Sequence, residues 1–186
     1  MWTTLLIAVR FQENLEEFCG LDYPNKIILN KGLPIINNLC NNTRVLNLPN
    51  IGREGETYLE YMLHHAQDDT VDGYVFTQIN PLHASAETKL SNLLTYVNRH
   101  GLHNRNFSCF GPLHKWRYGY GTSNTRVPSV KTDDISLFCP GATFFVSRLC
   151  VIQKLPIIRN ISQELGNHQT DGWAVERSWN TLFNTC

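Results

Sequence analysis

The amino-acid sequence predicts an α/β domain, with a mostly parallel central sheet flanked by helices. Three observations lead there. Short apolar runs recur early, at Thr4–Val9, Lys26–Leu29, Arg44–Leu48 and Tyr74–Thr77, each with the length and composition of a strand. Between the third and fourth, Leu59, Met62, Leu63 and Ala66 fall at i, i+3, i+4 and i+7, the stripe that packs one helix face on a core. Strands that alternate with helical stretches tend to pair in parallel, because the helix carries the chain back to the same end of the sheet.

The remaining elements follow in order. Glu13–Phe18 reads as a short helix or turn. Ala86–Val97 is amphipathic, with Leu90, Leu93, Leu94 and Val97 on one face. Gly101 to Pro140 reads as a long aromatic loop region, where His103, Phe107, Phe110, His114, Trp116, Tyr118 and Tyr120 are scattered among Gly, Pro, Ser and Asn. Ala142–Val146 is a buried strand. Arg148–Leu155 and Ile157–Leu165 read as helical on either side of Pro156. The last helix, Gly172–Asn184, places Val175, Trp179, Leu182 and Phe183 on one face. No repeat or low-complexity linker divides the 186 residues, so residues 1–186 form a single domain, long enough to bury a sizeable core.

Composition bounds the partners. Sixteen basic and sixteen acidic residues cancel, so no overall field favours nucleic acid or an anionic membrane. No apolar run approaches the roughly 20 residues of a membrane span. Met1–Val9 lacks a basic leader region and Arg10 follows it in place of a small-residue cleavage site, which favours a buried first strand over a signal peptide. The expected location is therefore cytoplasmic, with a secretory or virus-associated context as the other option. The six cysteines form no C-x-x-C pair or zinc-like cluster, and without an export signal they are expected to be mostly reduced. Three sequons, beginning at Asn41, Asn106 and Asn160, matter only if the chain is exported.

Several polar groups sit where a site is built. Asn50-Ile51-Gly52-Arg53-Glu54-Gly55 reads equally as an anion-binding helix start with Arg53 as a phosphate clamp, or as a plain helix start with Glu54 favourably placed near the dipole. Gln78, Asn80 and His83 lie just past a strand's carboxyl end, where open α/β sheets bind ligands; the bland reading is an Asn-Pro turn. His168 to Trp173 gathers an imidazole, the Asp171 carboxylate and an indole before the last helix, or simply supplies its cap. Glu176-Arg177 is an internal ion pair or a catalytic carboxylate with its neighbour.

Two blocks, Asn50 through Leu59 and Val75 through His83, resemble a fungal, bacterial and viral group known as domain-of-unknown-function family 3431. Its members show "N-x-G-R-E-G-x-T-Y-L" and then "hydrophobic-F-L-Q-G-x-P-F-x-H". The resemblance continues through Gly141–Arg148 and Trp173-x-x-Glu176-Arg177-x-Trp179, and this chain departs at Thr77, Ile79 and Leu82. The family's order of parts is similar to a compact glycosyltransferase of the GT-A type.

That resemblance implies a nucleotide-sugar donor and a glycan or protein-linked acceptor. Lys31, Asn50, Gly52, Arg53 and Glu54 would surround the donor diphosphate, with Gln78, Asn80 and His83 on the sugar or a metal. Asp171 or Glu176 would be the general base, and Trp116, Tyr118 and Trp173 an acceptor platform. GT-A enzymes hold manganese or magnesium with a D-x-D element; Gln78-Ile79-Asn80 stands in its place, and amides hold such an ion weakly. The alternatives are a non-catalytic carbohydrate-binding or assembly module, and, more remotely, a hydrolase using His83 or His168 with a carboxylate.

Overall fold

The structure, a computed structural model, describes residues 3–35, 40–50, 53–79, 95, 102, 105–110, 113–117, 127–130, 135–166 and 172–186. A six-stranded sheet forms its centre, in the order β3-β2-β1-β4-β8-β5. The strands are β1 (Thr4–Arg10), β2 (Lys26–Asn30), β3 (Thr43–Asn47), β4 (Gly73–Gln78), β5 (Phe107–Cys109) and β8 (Phe144–Ser147). A separate pair, β6 (His114–Arg117) and β7 (Ile135–Phe138), is antiparallel. The helices are α1 (Glu16–Cys19), α2 (Glu54–His65), α3 (Arg148–Gly166) and α4 (Gly172–Phe183). The amphipathic stretch Ala86–Val97 lies outside the described residues except for Thr95.

The α/β class holds, and the sheet is mixed rather than mostly parallel. β1 through β4 are parallel neighbours, whereas β8 runs antiparallel to both β4 and β5. Two further expectations are corrected. Part of the region read as a loop supplies β5, β6 and β7. α3 also runs unbroken through Pro156, an exposed residue; its missing N–H removes one helical bond without ending the helix.

Alternation along the strands divides the core in two. Ile7, Val9, Ile27, Leu29, Tyr74, Phe76, Phe144 and Val146 face one cluster, shared with the apolar residues of α2, α3 and α4. Leu6, Ala8, Ile28, Val75 and Phe145 face the other, with Leu15, Phe18 and Phe110. Burial on both faces is why these strands read as continuous apolar runs. Every residue of the α4 stripe is buried, and Trp179 and Phe183 stack with ring centroids 6.1 Å apart. Each of these large side chains contributes roughly 1.5–3 kcal/mol on burial. No helix among the described residues is long and apolar enough to cross a membrane.

The six cysteines, expected to be mostly reduced, form three disulfides: Cys19–Cys40, Cys109–Cys139 and Cys150–Cys186. Lys26 serves the fold, donating from Nζ to the carbonyls of Phe18, Cys19 and Leu21 around the end of α1.

Topology determines where a ligand would sit. From β1 the chain steps outward to β2 and β3, and α2 then returns it to lay β4 on the other side of β1. Such a reversal opens a crevice at the carboxyl ends of the strands. A polar chain ties those ends together: Arg10 Nη1 donates to Asn30 Oδ1 at 2.8 Å, and Asn30 Nδ2 donates to Asn47 Oδ1 at 2.7 Å. The Lys31 amide donates to the Arg10 carbonyl. The chain then passes so close to β1 that a Cβ on Gly32 would lie 1.3 Å from the Phe11 carbonyl oxygen. Backbone cannot yield as a side-chain tip does, so Gly32→Ala is expected to cost roughly 3 kcal/mol or more. A lowered urea midpoint at unchanged slope checks this.

Candidate functional site

Two helix starts meet over the carboxyl edge of the sheet, and two glycines allow it. A Cβ on Gly55, in the first turn of α2, would stand 3.2 Å from Val175 Cγ1 and 3.4 Å from the Gly172 carbonyl oxygen. A Cβ on Gly172, the first residue of α4, would come within 2.8 Å of Arg53 Cβ. Glycine at both positions therefore lets the start of α4 lie against the start of α2. Helix starts carry partial positive charge.

The side chains gathered there are mostly charged. Lys31, just past β2, is buried, with Nζ 3.4 Å from the Arg53 carbonyl oxygen and 5.6 Å from the centre of the Phe11 ring. Burial lowers its pKa, against the opposing pull of Glu56 and Glu54. Arg53 is the exposed N-cap of α2, and its guanidinium stacks over the Trp173 ring at 4.1 Å. Arg177, one turn further along α4, lies 5.3 Å from the centre of the same ring. One indole thus gathers two guanidiniums.

The carboxylates lie deeper. Glu54 is buried, and its Oε1 accepts a hydrogen bond from Gln78 Nε2 at 2.6 Å, joining the start of α2 to the end of β4. Glu176 is also buried, and its pKa rises from the ordinary 4.5 to about 7. Burial is the largest cause and the Glu54 charge the second; Arg177 and Arg53 pull the other way. Tyr58 is fully buried near both acids, and burial followed by the Glu54 and Glu176 charges raises its phenol well above its usual range. Among the described residues its hydroxyl has no hydrogen-bond partner.

Six of the residues singled out by sequence thus belong to one region: Lys31, Arg53, Glu54, Gln78, Trp173 and Glu176. Asn50 is exposed ahead of α2. Gly52, Asn80, His83, Tyr118, His168 and Asp171 lie outside the described residues, as does the side chain of Trp116, whose backbone belongs to β6 in the separate two-stranded sheet. Arg177 was named only as the neighbour of Glu176, and Gly55 only as part of the helix start; no site role was given to Tyr58 or Gly172. The Arg177–Trp173 contact had a signal in the sequence, because the two residues are four apart on a helix and so share a face.

The described donor set does not fit a divalent ion. Gln78 directs an amide N–H, not an oxygen, at Glu54, and Glu176 sits beside two guanidiniums. No group of three or more His, Cys, Asp or Glu side chains placed to hold a metal occurs among the described residues. The positive charge among the described residues there comes from Lys31, Arg53 and Arg177. What the arrangement can do is bind an anionic group at the rim and exchange a proton near neutral pH beneath it.

No family model matches the chain, and no curated protein matches it.

Proposed function

We propose that the protein is a glycosyltransferase of the GT-A type, moving a sugar from a nucleotide-sugar donor to a glycan or protein-linked acceptor. One observation carries the reading. At the carboxyl edge of the parallel strands, Arg53 and Arg177 meet on Trp173, and both guanidiniums act on Glu176, a carboxyl group poised near neutrality. The resemblance of the Asn50–Leu59 and Val75–His83 blocks adds the sugar-nucleotide class.

In this reading Arg53 and Lys31 bind the donor diphosphate, and Trp173 supports the acceptor. The Glu176 carboxylate takes the acceptor hydroxyl proton as its oxygen bonds to the anomeric carbon. The bond from that carbon to the diphosphate oxygen breaks, and the electron pair leaves with the diphosphate. Charge developing there is neutralised by Arg53, Lys31 and the two helix starts. A base must be ionised, so turnover is expected to rise with pH and level off above about 7.

Release of nucleoside diphosphate from a panel of UDP- and GDP-sugars, with and without manganese, tests the proposal. Turnover of at least one donor with that pH limb supports it. A flat profile removes Glu176 as the base, and failure of every donor removes the transferase.

A non-catalytic carbohydrate-binding module is the second reading. The Gln78–Glu54 bond favours it, because it commits the strand-end amide to the protein's own carboxylate. Binding on a glycan array while every donor is ignored would select it.

A further inference from the structure

We infer that Asn41 is an N-glycosylation site and that the chain folds in an oxidising compartment. This inference is independent of the proposed transferase activity. All six cysteines are paired. Disulfides form and persist chiefly in secretory, extracellular or periplasmic surroundings, and in the eukaryotic secretory route the Asn-x-Ser/Thr motif is read.

The fold distinguishes the three motifs. Asn41 is exposed in the turn that leads into β3. Asn42, the middle residue, adopts a left-handed backbone with φ 55°, and the Thr43 hydroxyl lies 3.3 Å from the Asn41 carbonyl oxygen. The motif is therefore displayed on one tight, solvent-facing turn. Asn106 is already committed: its Nδ2 donates to the Cys186 carbonyl at 2.9 Å, its Oδ1 lies 3.4 Å from Ser147 Oγ, and Ser108 is buried in β5. Asn160 projects from α3, but Ile161 is fully buried and Ser162 Oγ donates to Glu60 Oε1 at 2.7 Å, holding α3 against α2.

Position also favours Asn41. It precedes β3, whereas the candidate site lies at the opposite, carboxyl ends of the parallel strands. Five strand residues span roughly 16 Å, so a glycan on Asn41 stands away from the candidate site. The donor class is a lipid-linked oligosaccharide diphosphate. The Asn41 amide nitrogen bonds to the anomeric carbon, the bond from that carbon to the diphosphate oxygen breaks with its electron pair, and the amide proton passes to a base.

The test is secretion of the full chain from eukaryotic cells behind an added leader, with peptide masses read before and after peptide N-glycosidase. Thiols are counted by alkylation on the same sample. The expected result is a glycan on Asn41 and no free thiol. The glycan should disappear in Asn41→Gln and Thr43→Ala and persist in Thr43→Ser. A secreted chain with unmodified Asn41 overturns the inference, whether it is bare or carries sugar only at Asn106 or Asn160. A chain that is retained with free thiols overturns it as well.

Discussion

Glu176→Gln is expected to slow turnover sharply and, at the same time, to make the fold more stable at alkaline pH. The Glu176 pKa is raised from 4.5 to about 7, chiefly by burial. Between those values the folded protein binds the proton more tightly than the unfolded chain. Its contribution to stability is therefore complete below about pH 4.5 and is lost as pH rises through about 7. The full shift corresponds to about 3 kcal/mol. Glutamine keeps the shape and carries no charge to desolvate, so the variant should escape this loss. At pH 8 its Tm should exceed that of the wild type by roughly 6–12 °C, and at pH 4 the two should nearly coincide. Loss of a general base lowers the rate by roughly 100- to 10,000-fold. Thermal melts at both pH values check the first half and donor turnover the second. A variant that melts lower than wild type at pH 8 would mean that Arg53 and Arg177 outweigh burial, and that Glu176 is a structural ion-pair partner.

Reduction of the three disulfides should unfold the chain. They close loops with sequence separations of 21, 30 and 36 residues, and loop-closure entropy assigns each about 3–4 kcal/mol. Together they supply about 10 kcal/mol, comparable to the whole stability of an ordinary domain. Cys19–Cys40 ties α1 to the turn before β3, Cys109–Cys139 holds the edge strand β5, and Cys150–Cys186 anchors the stretch after α4 to α3. Circular dichroism with and without reductant, with thiols trapped by alkylation, measures the effect. An unchanged melt with all six thiols trapped would show that the apolar core suffices alone.

The parts of this fold legible in the sequence are those with a strong period. The Val175, Trp179, Leu182 and Phe183 stripe and the strands β1, β2 and β4 were readable because the same residues that pattern them also bury them, whereas β3 is only partly buried. Strand direction was not readable at Phe144–Ser147, since a run buried on both faces is the same pattern in either sense. β5 is only three residues long and needs its neighbour β8 to exist. Disulfide pairing depends on Cα positions, and loops of these lengths leave several pairings open. At the site, a strand end and a helix start could each be named as polar. What could not be read is that Gln78 and Glu54, 24 residues apart, bond to each other. Nor could the Glu176 shift be read, because it needs Glu54 brought near by tertiary packing.

The central claim, that Lys31 and Arg53 at the carboxyl ends of the parallel strands hold the diphosphate of a sugar nucleotide, is tested most directly by calorimetric titration. Wild-type protein and Arg53→Ala would each be titrated with UDP- and GDP-sugars, with and without manganese. The account predicts saturable binding of at least one donor by the wild type, little changed by manganese, and at least tenfold weaker in Arg53→Ala. Binding that appears only with manganese, that is indifferent to Arg53, or that no donor produces would contradict it.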